Sequence, residues 1–492
     1  MADVYRLGGS LGVPRGELHH DIRTRFLHRF RQLSGLPLED MGVVVLQGGS
    51  GFPLYNSDNE MLFRQEAYFQ YLFGVNDLEG WYGAFDIRTG RAFLFMPRLP
   101  ASYAVWMGHI LRLEEAKAKY GVDEVRYVDE LSAVLAELAP PCLHTLDGGI
   151  NSDSGLPMPA VSFDGIEQFT VEAQSLHPAL TECRVFKTPG ELAVMQYACS
   201  VASAAHVAVM QGVKPGMFEF QAESLYLHNM YSQGCRGSHY TPIFASGSNA
   251  AILHYGHAGA PNGRQMQAGE LLLVDAGAEY YRYAADITTT FPVGGTFTPD
   301  QALIYKAVLA ASRAVIAAMK PGVRWPDMHL LAERTILAAL QAAGLLAGDL
   351  EAMLEARLGA VFMPHGLGHF LGLDTHDVGG YQPGGPERPQ GAGISRLRTA
   401  RVLEAGMVIT VEPGCYFTRV LLEPAFVDPL LGRFLVEERL RQFLDFGGVR
   451  IEDDVLVTAD GAQTMCDVPR TVEDLEAVMG GAPWPPPKGV PI

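Results

Sequence analysis

Acidic side chains stand inside the most apolar strand-like runs of this chain, and that placement constrains it more than any other feature. Asp275 and Asp286 lie in LLLVDAGAEYYRYAADITTTFPV (271–293). Glu412 follows the apolar run of MVITVEPG (407–414), and Glu452 begins the acidic triplet of GGVRIEDDVLVT (447–458). A carboxylate in such a run is costly unless it is paired or bound to a cation. An antiparallel hairpin over 270–276 and 283–291, with AEYY and its neighbours at the turn, brings Asp275 and Asp286 to one face. Alternation along 449–457 puts Glu452 and Asp454 on one face and Asp453 on the other. Spacing alone therefore does not choose between Glu452 and Asp454.

A histidine cluster lies between these acids. PHGLGHFLGLDTHDVGG (364–380) holds His365, His369 and His376, with glycines at 366, 368 and 372 that let the backbone bend closely around a site. The pattern differs from the helical H-E-x-x-H of zinc peptidases. Four carboxylates facing one cavity repel: at an effective dielectric of about 20, two charges 4 Å apart cost roughly 4 kcal/mol. Two divalent cations supply the compensating charge. An oxygen-rich set with one imidazole favours manganese, or cobalt and iron, over sulfur-bound zinc. Two ions about 3.5–4 Å apart can hold a bridging hydroxide.

The rest of the chain frames this site. Its 492 residues allow two or three domains. Residues 1–182 read as an α/β unit: a helix at 17–34, a buried strand at 41–49, a hairpin around Arg88-Thr89-Gly90, and a strand followed by a helix over 122–140. Thr188, Pro189 and Glu191 form a capping box that opens a long helix. Residues 183–492 read as α+β, with helices at 191–212, 300–319 and 326–344 packed on antiparallel strands, and a Pro-rich tail at 482–492 that is extended or disordered. The net charge of −18 argues against nucleic acid as a partner. No apolar stretch reaches the length of a membrane span, and MADVYRLGGSLGVPRGELHH lacks the pattern of a secretory signal, so the cytoplasm is the expected compartment. The six cysteines form no C-x-x-C pair, so they read as reduced, buried thiols and not as a structural zinc site.

The ordered set Asp275, Asp286, His369, Glu412 and Glu452 resembles the metal signature of the pita-bread metallopeptidases, which include methionine aminopeptidases, aminopeptidases P and prolidases. HYGHAGAPN (254–262), MPHGLGHFLGLDTHDVGGY (363–381), RLRTARVLEAGMVITVEPG (396–414) and FGGVRIEDDVLVT (446–458) extend the likeness toward the prolidase branch. FRQEAYFQYLFGV (63–75) and PRLPASYAVWMG (97–108) carry it into the first domain. The resemblance implies a pita-bread catalytic domain behind a creatinase-like α/β domain, two divalent ions, and hydrolysis of dipeptides with C-terminal proline. An aminopeptidase P activity on longer peptides is the alternative. It further implies that Asp275 binds one ion, that His369 and Glu412 bind the other, and that Asp286 and Glu452 bridge both, which selects Glu452 over Asp454. Glu412 is implied as a proton shuttle. His254, His365 and His376 are implied to contact substrate or stabilise the transition state, and Arg398 to hold the dipeptide carboxylate. A homodimer is implied, with Trp106 reaching the neighbouring subunit.

Overall fold

The structure is a computed structural model that describes residues 13–256 and 261–485. The end of the Pro-rich tail therefore lies outside the described residues. Contacts divide the chain into two compact units, Met1–Val194 and Met195–Ile492.

The first unit is built on a six-stranded mixed sheet. Its strands are β1 (Val43–Gln47), β2 (Tyr82–Asp86), β3 (Ala92–Met96), β4 (Glu124–Tyr127), β5 (Leu143–His144) and β6 (Val171–Glu172), in the order β4-β3-β2-β1-β5-β6. The expected hairpin is present: β2 and β3 pair antiparallel from Tyr82↔Phe95 to Phe85↔Ala92, and Gly90 takes a φ of 74° in the turn. The unit's helices are α1 (Arg15–Ser34), α2 (Ala67–Phe73), α3 (Tyr103–Met107), α4 (Leu113–Tyr120), α5 (Leu131–Leu138) and α6 (Leu176–Val185). Both faces of the central strands are covered, which is why VVVL reads as a continuous apolar run. Val43 and Val45 face a cluster with Leu131 and Leu135 of α5. Phe26 of α1 packs against Phe85 with ring centroids 6.1 Å apart.

The capping box at the start of α7 (Pro189–Gly212) forms as read. Thr188 N–H donates to Glu191 Oε2 at 2.8 Å, and Glu191 N–H donates to Thr188 Oγ1 at 3.2 Å. The second unit adds α8 (Glu219–Ser232), α9 (Pro299–Ala318) and α10 (Trp325–Ala342), followed by shorter helices. By length and composition α7 and α9 are apolar enough to cross a membrane, which the sequence reading did not anticipate. Half or more of each apolar window is buried in protein (56% and 50%), as befits core helices.

The strands of this unit are antiparallel. β7 (Ile243–Ser246), β8 (Leu271–Asp275) and β11 (Thr288–Pro292) form one sheet in the order β11-β8-β7. The chain between β8 and β11 makes its own small hairpin, β9 (Glu279–Tyr280) with β10 (Tyr283–Ala284). The partner of β8 is thus 288–292, not 283–291, and Asp275 lies opposite Thr288. A second sheet has the order β12-β15-β16, with β12 (Val408–Val411), β15 (Asp453–Val457) and β16 (Ala462–Thr464). β13 (Gly414–Tyr416) pairs with β14 (Gly448–Arg450). The expected single strand over 449–457 therefore breaks: β14 follows β13, β15 follows β12, and Glu452 sits between them, bridged to Thr288.

Candidate metal centre

Two glycines allow the site's backbone segments to approach. A Cβ on Gly277 would lie 1.7 Å from the Ala285 carbonyl oxygen. Its absence lets Ala276 N–H reach Ile287 O at 3.1 Å, which draws Asp286 beside Asp275. A Cβ on Gly368 would lie 1.9 Å from the Thr410 carbonyl oxygen. Without it, the histidine segment lies along β12: Thr410 N–H donates to His369 O and Glu412 N–H to Leu367 O, each at 2.9 Å. His369 and Glu412 are thereby set side by side.

Asp275 and Asp286 share one donor. Tyr240 Oη lies 2.7 Å from Asp275 Oδ1 and 2.6 Å from Asp286 Oδ1. A hydroxyl has one proton, so it donates to one oxygen at a time. Asp275 Oδ2 accepts from Arg450 Nη2 at 2.7 Å, and Glu452 Oε2 accepts from Thr288 Oγ1 at 2.7 Å. Asp286, His369 and Glu452 bring one ligand atom each within 4.8 Å of one another, and all three residues are buried. His369 Nε2 stands 3.4 Å from Asp286 Oδ2 and 3.7 Å from Glu412 Oε1. His369 Nδ1 is 3.0 Å from the Phe370 carbonyl, to which it donates. With that proton committed, Nε2 turns a lone pair toward two carboxylate oxygens. Such a set of acceptors needs a cation among them, either a proton or a metal ion.

The charges give the same result. Without a metal, burial and then the neighbouring Asp275 push Asp286 up to about 7. Burial pushes Glu412 up to about 7, and it pushes Glu452 well above the usual carboxylate range. Arg450 is a buried cation bonded to Asp275, beside the four crowded carboxylates. A site of oxygen ligands with one imidazole suits divalent cations. The five residues fit such a centre.

The other expected residues are distributed around it. His376 meets His369 edge-on, with ring centroids 4.4 Å apart. His365 Nδ1 lies 3.9 Å from Glu412 Oε2 and donates to Gly366 O at 2.8 Å, while its Nε2 accepts from Tyr416 Oη at 3.0 Å. Burial and then the Arg450 charge push His365 down to about 3, so it is neutral near pH 7. His254 is exposed. Arg398 is half-buried, and its carbonyl packs against Gly380, four residues after His376.

Alternation fails at the triplet because the strand breaks there. Asp454 does not share a face with Glu452. It lies behind Asp286, whose backbone N–H it accepts at 3.0 Å, and Asp453 pairs with Arg470 at 2.7 Å. Sequence reasoning missed Tyr240, Thr288, Tyr416 and Arg450. Arg450 carried a signal, a buried-strand cation two residues before Glu452. Tyr240 carried none.

Residues 193–459 match the model of metallopeptidase family M24, and residues 19–144 match that of the aminopeptidase P N-terminal domain. A Xaa-Pro dipeptidase of Homo sapiens is 54% identical over 460 residues, covering 93% of this chain and 92% of that one. A Xaa-Pro dipeptidase of Rattus norvegicus is 53% identical over 487 residues, covering 98% of each. Among solved structures, zinc-substituted aminopeptidase P of E. coli in complex with product superposes with a TM-score of 0.74 at 29% identity, over 93% of this chain and 98% of that one.

The raised acids give a pH test on metal-stripped protein. Unfolded carboxylates lose their protons near pH 4, whereas native Asp286 and Glu412 keep theirs to about 7. The native state thus binds more protons between these limits. The stability these groups contribute is present below pH 4 and is lost as pH rises toward 7. Thermal unfolding of the stripped protein should fall more steeply from pH 5 to 7 than that of Glu412→Gln. Parallel profiles would contradict the assigned crowding.

Proposed function

This chain belongs to metallopeptidase family M24 and is a metal-dependent Xaa-Pro dipeptidase, and from that premise we propose how its residues perform the hydrolysis. Its substrates are dipeptides with C-terminal proline. Aminopeptidase P is the more distant relative, at 29% identity to the E. coli structure.

We assign Asp275 to one cation, His369 and Glu412 to a second, and Asp286 and Glu452 to both. The convergence of Asp286, His369 and Glu452 within 4.8 Å supports this assignment, with Tyr240 joining Asp275 to Asp286 and Glu412 Oε1 3.7 Å from His369 Nε2. Two divalent ions held there, manganese by the preference of the donors, would polarise the scissile carbonyl and acidify the attacking water.

The remaining chemistry belongs to the chain. The amide cleaved is tertiary and has no N–H to grip, so recognition must come from its two ends and its carbonyl. Arg398 clamps the proline carboxylate, a task for which a planar guanidinium is better suited than an ammonium. Glu412 takes the proton of the attacking water and delivers it to the departing proline nitrogen. His376, set against His369, and His254, on an exposed loop, contact the substrate. His365, its ring oriented by Tyr416 and Gly366, stands 3.9 Å from Glu412 Oε2 and contacts the substrate beside that residue.

We also propose that the protein works as a cytoplasmic homodimer. Free thiols at all six cysteines support a reducing compartment. The homodimer is supported by the exposure of α3, where Val105, Trp106 and Met107 are 78%, 85% and 65% exposed.

The activity is tested with chelator-stripped protein, by following proline release from Gly-Pro and cleavage of Ala-Pro-Ala with and without Mn²⁺. Manganese-dependent cleavage of the dipeptide alone is expected, and preferential cleavage of the tripeptide would move the assignment to aminopeptidase P. For Arg398→Ala, KM for Gly-Pro should rise strongly while metal content stays unchanged. Unaltered kinetics would remove Arg398 from the clamp.

A further inference from the structure

A second cluster, different in chemistry, lies behind Asp286. Cys199 on α7, Asp454 on β15 and Cys466, two residues beyond β16, bring two sulfurs and a carboxylate oxygen within 4.8 Å of one another. Cys199 Sγ donates to Asp454 Oδ2 at 3.1 Å, and Cys466 Sγ accepts the Asp454 backbone N–H at 3.2 Å.

Asp454 is the anomaly. Its side chain is fully buried, and Oδ1 has no hydrogen-bond partner among the described residues. Arg470, close by in the chain, is committed to Asp453. A buried carboxylate oxygen without a partner is costly in a native core.

We propose that Cys199, Asp454 and Cys466 form a binding site for one soft divalent cation of the zinc–cadmium class, separate from the dinuclear centre. The donors match such an ion. Tetrahedral zinc with sulfur at about 2.3 Å sets its ligands about 3.8 Å apart, within the span of this cluster. Binding forms two metal–sulfur bonds and one metal–oxygen bond, and the thiol protons leave to solvent. The Asp454 N–H already directed at Cys466 Sγ would support the resulting thiolate. Cys466 is partly exposed and gives a path for entry. The five-residue centre in front offers only oxygen and nitrogen, so hard and soft ions are sorted between the two sites. The sites touch through one bond, the Asp286 N–H held by Asp454 Oδ2.

Cadmium bound by thiolate has an ultraviolet charge-transfer band that cadmium on carboxylates and imidazole lacks. Full-length protein carrying Mn²⁺ is titrated with Cd²⁺ under reducing conditions. The expected result is one equivalent that develops this band and releases protons. Cys199→Ala and Cys466→Ala should each abolish the band while manganese content and Gly-Pro hydrolysis persist, and Cys142→Ala should retain it. Absence of the band from the parent protein, or its survival in folded Cys199→Ala, would overturn the proposal. Because the readout comes from sulfur, it is independent of whether the front centre holds two ions.

Discussion

Mutual repulsion among four carboxylates, Asp286 and Glu452 buried and Asp275 and Glu412 partly so, is the constraint on which the catalytic unit depends. Asp275, Asp286, Glu412 and Glu452 come from four separate chain segments, and no folding preference of their own would gather them. The backbone gathers them: β8 against β11, the histidine segment along β12, and the break between β14 and β15 that turns Glu452 inward. The partners then limit the electrostatic cost. Tyr240 spans two of the acids, Thr288 donates to a third, and Arg450 neutralises one charge. The cluster is left with an excess of negative charge, which protons offset only partly near pH 7. Stability and function therefore meet at the same point, since a cation that serves the chemistry also relieves the fold.

The supporting residues show how the site is kept rigid. Tyr416 Oη accepts from Arg450 Nη1 at 2.8 Å and contacts His365 Nε2 at 3.0 Å. A line of hydrogen bonds thus runs from Asp275 through Arg450 and Tyr416 to His365. Arg450 Nε also donates to Thr288 Oγ1 at 3.2 Å, and Thr288 in turn donates to Glu452. Such a network fixes the orientation of ligands before any ion arrives, which is how outer residues tune a metal site. Loss of Arg450 would remove one of the bonds that orient Asp275 and the donor that holds Tyr416 Oη beside His365.

Much of this was legible in the chain, for identifiable reasons. Acids inside apolar runs advertise a need for cations, so Asp275, Asp286, Glu412 and Glu452 stood out. The capping box at Thr188 and Glu191 is local chemistry and was readable from four residues. The choice between Glu452 and Asp454 was not readable from spacing, because alternation assumes one continuous strand and the chain changes partners between β14 and β15. The small hairpin β9–β10 is hidden for a related reason: in the sequence, AEYY and its neighbours read as one turn that joins β8 directly to its partner. Tyr240 and the cluster of Cys199, Asp454 and Cys466 could not be seen because the fold alone brings them to their neighbours. A search for C-x-x-C spacing finds nothing when the two sulfurs are hundreds of residues apart.

The central claim is that the cleft holds two cations in exchange for protons retained by its crowded acids. Calorimetric titration of metal-stripped protein with Mn²⁺ at pH 7, repeated in buffers of different ionisation enthalpy, tests it most directly. The account predicts two ions bound per chain with net release of protons. Binding of a single ion, or of two with no proton release, would contradict it.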